Sequence, residues 1–224
     1  MTITELEING KTLPCHIRYK RIRHAYLRIK PDLCLHISLP HNKTITAESI
    51  LKEKHRWLEK KVKELSLIRR IFKDGTMLFK GEYVKVEMRM AEQPESGVHL
   101  GKKALIVYGN PEQKNGTVLT DFIASQTLAH VQQKAEEFAT ELGVTYHGIT
   151  TKEAKSWGYC TRQGKLFFNW RLICLPPRLA DFIVFHELVH LKHFNHSKRF
   201  KNALAKHFTD CKELEALLKT YSAH

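Results

Sequence analysis

Alternation of apolar and polar residues marks the start of the chain. Leu33, Leu35, Ile37 and Leu39 are separated by Cys34, His36 and Ser38, the period-two pattern of a half-buried strand. His16–Tyr19 and Tyr26–Ile29 repeat it more weakly, which predicts a small antiparallel sheet. The period then lengthens. Thr46 opens a stretch to about Arg70 in which Trp57, Leu58, Val62 and Leu65 recur at helical spacing among Lys, Arg and Glu, so one long surface helix is predicted over 46–70. Two hairpins are expected next, around Lys80-Gly81 and around Gly101-Lys102. Asn110–Gly116 reads as a linker of turn-forming and polar residues. Beyond it the pattern predicts a helix over 118–142, capped by Gly143. A strand-and-turn section over 149–175 follows, with Lys165–Trp170 its best strand. Pro176-Pro177 precedes a strongly apolar helix from Arg178 to Phe194. Two short helices close the chain, the last opened by an Asp210…Glu213 capping pattern. No internal repeat is evident.

These elements describe an α+β protein. The linker suggests a strand-rich N-terminal portion, 1–112, containing the long helix, and a helical portion, 113–224. The 224 residues are 42% hydrophobic and 27% charged, ordinary values that exclude a collagen-like or wholly disordered chain. Five scattered cysteines, Cys15, Cys34, Cys160, Cys174 and Cys211, include no Cys-x-x-Cys pair. They indicate neither a disulfide framework nor a thiolate metal site, and suit a reducing compartment. The N-terminus lacks the features of a signal peptide and no apolar run reaches the length of a membrane span, so the expectation is a cytoplasmic protein without a membrane partner. The net charge of +14 is uneven: residues 1–73 hold 17 Lys/Arg against seven Asp/Glu, and the remainder 20 against 16. A basic N-terminal third is either a nucleic-acid or other anion-binding surface or a solubilising one.

The chemistry concentrates in His186-Glu187-Leu188-Val189-His190. Spacing i,i+4 places both imidazoles on one helical face, where they can chelate one Zn²⁺. Glu187, beside the first ligand, can reach a metal-bound water and take its proton. In a chain of 14 His, His-Glu-x-x-His arises by chance in roughly 7% of cases, and a further His at a defined position lowers that to roughly 0.4%. His196 supplies that third imidazole. Asn195 tolerates the left-handed conformation, which would let the chain turn back there and present His196. Three His ligands leave a fourth position open, as a catalytic zinc requires. The alternative is a set of satisfied core histidines. A metzincin would carry Gly where His193 stands and a Met downstream, but Met1, Met77, Met88 and Met90 all precede the motif. A later carboxylate, Glu213 or Glu215, is the fallback third ligand, while His193 and His207 read as surface histidines. Lys165–Trp170 is either an edge strand that could bind an extended peptide or a plain core strand. Trp157-Gly158 is either part of the cleft wall or a buried Trp beside a tight turn.

The stretch Ser156-Trp-Gly-Tyr-Cys160, Leu166-Phe-Phe-Asn-Trp-Arg-Leu172, Pro176-Pro177 and His186–Phe200 resembles the YgjP-like metallopeptidases, small zinc-dependent peptidases related to the SprT-like and WLM groups. Arg23–Lys30, Pro40 and Trp57–Lys61 extend the resemblance over nearly the whole chain. It implies a zincin-like fold, peptide or protein substrates, His186, His190 and His196 as zinc ligands, and Glu187 as catalytic base. Tyr159 departs from the Ser common at that place in the family. The leading expectation is therefore zinc-dependent peptide hydrolysis. The rival is a nucleic-acid-associated zinc protein that binds through the basic third, or a peptidase recruited by it.

Overall fold

A computed structural model describes residues 5–30, 33–41, 45–90, 97–101, 103–109 and 115–222. The chain divides into two compact units, 1–68 and 69–224.

The first unit is a four-stranded sheet covered on one face by helices. β1 (Glu5–Ile8) and β2 (Lys11–Lys20) form a hairpin, and β3 (Tyr26–Ile29) and β4 (Leu35–Pro40) complete the order β1-β2-β4-β3. The predicted alternation is realised in β4, whose Leu35, Ile37 and Leu39 are buried while His36 and Ser38 face outward. The sheet is mixed rather than antiparallel, because β2 runs parallel to β4, with His16 opposite His36 and Arg18 opposite Ser38. Leu33 is not part of the strand; it adopts φ 64° in the turn before it. The predicted single helix is two, α1 (Ala47–Glu53) and α2 (His55–Ser66). Lys54 falls on the apolar stripe between Ile50 and Leu58, and the one-residue break carries its ammonium out to Glu53, 2.7 Å away. Thr46 caps α1 by accepting from the Ser49 N–H, as its position predicted. Ile50, Leu51, Leu58 and Val62 pack with Leu13, Leu35, Ile37 and Leu39 in one core.

The second unit begins at Arg69, ahead of the expected 112/113 boundary. β5 (Phe72–Lys73), β6 (Thr76–Phe79), β7 (Glu82–Met90), β8 (Gly97–Leu100) and β9 (Ala104–Gly109) form a sheet of order β5-β6-β7-β9-β8. Met77, Leu78 and Leu105 of this sheet share a core with the helices that follow, which ties 69–109 to the C-terminal part. Lys80 and Gly81 have φ of 52° and 87°, the two left-handed residues of a tight hairpin turn. That turn is bonded to the later chain through the Lys80 N–H to the Ile173 carbonyl and the Gly81 N–H to the Cys174 carbonyl. Lys102 and most of the expected linker, 110–114, lie outside the described residues.

Helix α3 (Asn115–Leu142) is about 42 Å long. Its buried stripe, Ile123, Thr127, Val131, Ala135 and Phe138, has the mixed i,i+4 and i,i+3 spacing of a helix buried on one face. It ends as predicted: Gly143 takes φ 60°, with the Gly143 N–H on the Thr140 carbonyl and the Val144 N–H on the Ala139 carbonyl, a Schellman cap. β10 (Gly148–Lys152), β11 (Gly158–Cys160) and β12 (Lys165–Asn169) form a third sheet, ordered β10-β12-β11. The chain then passes a 3-10 turn, Leu172–Cys174, into α4 (Pro177–Val189), with Pro177 at its first position, and ends in α5 (Lys198–His207) and α6 (Cys211–Leu218). α4 is apolar almost all round; Leu179, Phe182, Val184, Phe185 and Leu188 are at most 2% exposed, as befits the central helix of a core. The expected capping role of Asp210 is not seen. Its carboxylate accepts instead from Arg178 at 2.5 and 2.9 Å. Among the described residues no helix is long and apolar enough to cross a membrane.

Candidate metal centre

α4 ends at Val189, five residues before the predicted Phe194. His186 occupies its last turn and His190 is the residue that caps it. The chain turns immediately after, with the Leu191 N–H on the Leu188 carbonyl and the Lys192 and His193 N–H groups on the Val189 carbonyl. This turn brings His196 back toward the helix. Asn195 is not in the left-handed region, so the reversal comes from the early end of the helix rather than from Asn195. Ser197 then caps α5 by accepting from the Phe200 N–H at 3.4 Å.

The three predicted histidines meet. One ring nitrogen from each of His186, His190 and His196 lies within 4.8 Å of the others, and the His186 and His196 Nε2 atoms are 3.1 Å apart. Two ligands 2.0–2.1 Å from a tetrahedral zinc stand about 3.3 Å from each other, so the spacing fits such an ion. The His190 Nδ1 donates to the His193 carbonyl at 3.0 Å, which orients the ring and turns its Nε2 to the cluster, the usual outer partner of a metal-bound imidazole. Burial, and then the neighbouring His190 and His196, hold His186 down to about 3. Burial also lowers His190. Neutral imidazoles are the form that binds metal. Glu213 and Glu215 are not in the cluster; Glu215 stands at the wall of the adjoining cavity. The His193 carbonyl serves His190, and His207 bonds Glu141 at 2.8 Å.

Three features around the cluster carry no motif that spacing alone reveals. Phe200 is 1% exposed, and its ring centroid lies 4.6–4.8 Å from those of His186, His190 and His196, forming an apolar base under all three. Gly158 runs against Glu187: a Cβ there would fall 2.9 Å from the Glu187 Cγ, 3.1 Å from its Oε1 and 3.2 Å from Phe168 Cδ1. The Cys160 backbone N–H donates to the Glu187 carboxylate, which burial nevertheless pushes up to about 8. Burial and Glu187 together raise the Cys160 thiol to about 11, which leaves it a poor nucleophile.

β12 is the middle strand of its sheet, paired parallel to β10 and antiparallel to β11. Of the two readings of Lys165–Trp170, the structure gives the core strand, with Phe168 1% exposed. The edge is β11, whose Cys160 N–H points to Glu187 rather than to β12. Trp157 is buried and also lines a cavity of about 280 Å³ with Gly158, Phe182, Ile183, His186 and Glu187, while Gly158 opens strand β11 rather than forming a tight turn. Tyr159 stacks on Phe167, centroids 4.7 Å apart, with the Lys152 Nζ 5.0 Å from its ring. Asn169, fully buried, donates to the Ala154 carbonyl at 2.7 Å and accepts from the Arg171 N–H at 3.0 Å, fixing the end of β12.

Among solved structures, the metallopeptidase zymogen jannalysin of Methanocaldococcus jannaschii is 21% identical, with a TM-score of 0.36, over 39% of this chain and 86% of that one. No curated protein matches. The family model described as the YgjP-like metallopeptidase domain matches residues 23–221, and with nearly the whole chain so covered the protein belongs to the YgjP-like metallopeptidase family.

Proposed function

We propose that the protein is a zinc-dependent peptidase of zincin-like architecture, in which His186, His190 and His196 hold the metal and Glu187 is the general base. The observation that carries this reading is the convergence of three imidazole nitrogens beside a buried carboxyl that belongs to no ion pair among the described residues. A Zn²⁺ held there would supply Lewis acidity to the substrate carbonyl, lower the pKa of the attacking water toward about 7, and favour the ionised form of Glu187. Glu187 takes a proton from the attacking water as the C–O bond forms. It then delivers that proton to the amide nitrogen as the C–N bond breaks. The Cys160 N–H holds the carboxylate in place meanwhile, and Gly158 leaves it the space to stand there.

The outer edge of β11 faces this centre, so an extended peptide adding to β11 would pass alongside Glu187. Trp157, Phe182, Ile183 and Leu218 make the adjoining cavity apolar, which favours a hydrophobic side chain next to the scissile bond. Elemental analysis tests the metal: about one zinc per chain is expected, with a sharp fall in His196→Ala. Peptide hydrolysis tests the base. Glu187→Gln is expected to abolish cleavage with zinc retained, and full residual activity would end the mechanism.

A further inference from the structure

The four-stranded sheet of the first unit buries only one face. On β2, the buried Leu13 and Cys15 alternate with the exposed Pro14, His16, Arg18 and Lys20. The helices cover the Leu13 side. The opposite side is open, and what stands on it is not a random polar surface.

The register arranges this face in rows. His16 of β2, His36 of β4 and Arg28 of β3 lie side by side, and so do Arg18, Ser38 and Tyr26. Successive rows are about 6.6 Å apart along the strands. The middle strand contributes the smaller Ser38, so the face is concave: a groove of about 460 Å³ runs along β4. Arg18 and Lys20 flank it on one side, Arg28 and Lys30 on the other. Among the described residues none of these four cations is paired with a carboxylate, and none of the groove's lining residues is acidic. Among the described residues the carboxylates on this face are Glu5 and Glu7 of β1, opposite Pro14 and Thr12, beyond the end of the groove. Tyr26 is 59% exposed on the groove wall, and the rings of His16 and His36 stack 5.2 Å apart on its floor.

We propose that this open face binds single-stranded nucleic acid, its phosphates along the two cationic walls and its bases on Tyr26 and the paired imidazoles. Unneutralised cations on both sides of a channel suit a phosphodiester backbone that follows it. Aromatic faces between the cations suit unstacked bases, which a duplex does not offer. A membrane surface would call for a protruding apolar stripe as well as cations, and Tyr26 is the one large hydrophobic side chain exposed among the described residues lining this groove. This function stands apart from the metal centre and needs none of its residues.

Fluorescence anisotropy of a labelled 12-nucleotide oligouridylate with the full chain tests it, against a 12-base-pair duplex and vesicles containing phosphatidylserine. Four phosphate contacts predict a log–log salt slope of about −2.8 for a single strand, falling to about −1.4 in Arg18→Ala/Arg28→Ala. Tyr26→Ala should weaken binding by about 5- to 150-fold with the slope unchanged, and Tyr26→Phe should restore it. Lys60→Ala/Lys63→Ala, on α2 at the other side of the sheet, should leave affinity intact. The proposal is overturned by no binding at 50 mM salt, or by equal losses in the α2 variant. It is equally overturned by duplex or vesicles binding as tightly through the same residues.

Discussion

Replacing Gly158 by alanine adds one methyl group at the point where β11 crosses Glu187. The φ of Gly158 is outside the left-handed region, so the backbone accepts a Cβ without strain. The whole perturbation is therefore the contact of that Cβ with its surroundings. It would lie 2.9 Å from the Glu187 Cγ, where carbon atoms ordinarily rest at about 3.5–4.0 Å. Glu187 must retreat by roughly 0.6–1.1 Å, and Phe168 Cδ1, 3.2 Å from the new carbon, closes one direction of relief. A misplacement of about 1 Å at a reacting group costs on the order of 100-fold, so kcat should fall by about 10- to 100-fold. Overpacking should destabilise the fold by about 1–3 kcal/mol, and the three histidines should keep their metal. The assay is kcat on a fluorogenic peptide, with metal content and the urea midpoint measured on the same preparation. Gly158→Ala/Glu187→Asp separates the two effects: the shorter side chain relieves the contact and recovers stability without recovering activity. A folded, metal-loaded Gly158→Ala protein with kcat within twofold of the parent would refute the assignment of Glu187 to proton transfer in this position.

In the metal-free protein Glu187 keeps its proton to about pH 8, whereas the unfolded carboxyl loses it near 4.5; its stabilisation is full below pH 4.5 and is lost as pH rises through 8. His186 and His190, whose burial works in the opposite sense, contribute equally to Glu187→Gln. In urea unfolding after chelation, the stability of the parent relative to Glu187→Gln should therefore decline by on the order of 4 kcal/mol between pH 5 and 9. Phe200→Ala should cost about 3–5 kcal/mol and weaken metal binding by about 10- to 100-fold, read by competition with a chromogenic chelator; Phe200→Leu should keep the fold. Gly81 has φ 87°, and a Cβ there would stand 2.9 Å from the Pro176 Cα, so Gly81→Ala should lower the melting temperature by at least the equivalent of about 1 kcal/mol. Its metal stoichiometry should not change.

The parts of the molecule that could be read from sequence are those whose cause is local. The alternation in β4, the caps at Thr46 and Gly143, the Lys80-Gly81 turn and the i,i+4 histidines each depend on residues a few positions apart. His196 was also readable, because a short return after a helix leaves a third imidazole few other places to go. What escaped depends on distant partners. The parallel pairing of β2 with β4 is set by tertiary packing, and Lys54 breaks a helix whose stripe otherwise continues through it. Asp210 has the composition of a cap, yet Arg178, 32 residues earlier, holds its carboxylate. Lys165–Asn169 has the apolar character of either a middle or an edge strand, and only the pairing with both β10 and β11 decides. Gly158 and Phe200 matter through contacts with Glu187 and the imidazoles. A Gly beside a Trp was the sole sequence hint of Gly158's role, and nothing in the chain around Phe200 sets it apart from any other buried phenylalanine.

The strand orders of the three sheets share one arrangement: β2-β4-β3, β7-β9-β8 and β10-β12-β11 each place the latest strand between the two before it, parallel to the first and antiparallel to the second. During synthesis at about 5–20 residues per second, β2 and β7 can already pair with β1 and β6, but an outer strand with no other neighbour has no sheet partner until the last strand of its trio emerges. β12 is that strand for the catalytic half, so β11 acquires a fixed place only when residues 165–169 have left the ribosome. The histidine helix follows directly. The carboxylate's neighbour and the carboxylate itself are thus positioned in succession, and a nascent chain halted before residue 165 has no ordered β11 edge against which a peptide could be held.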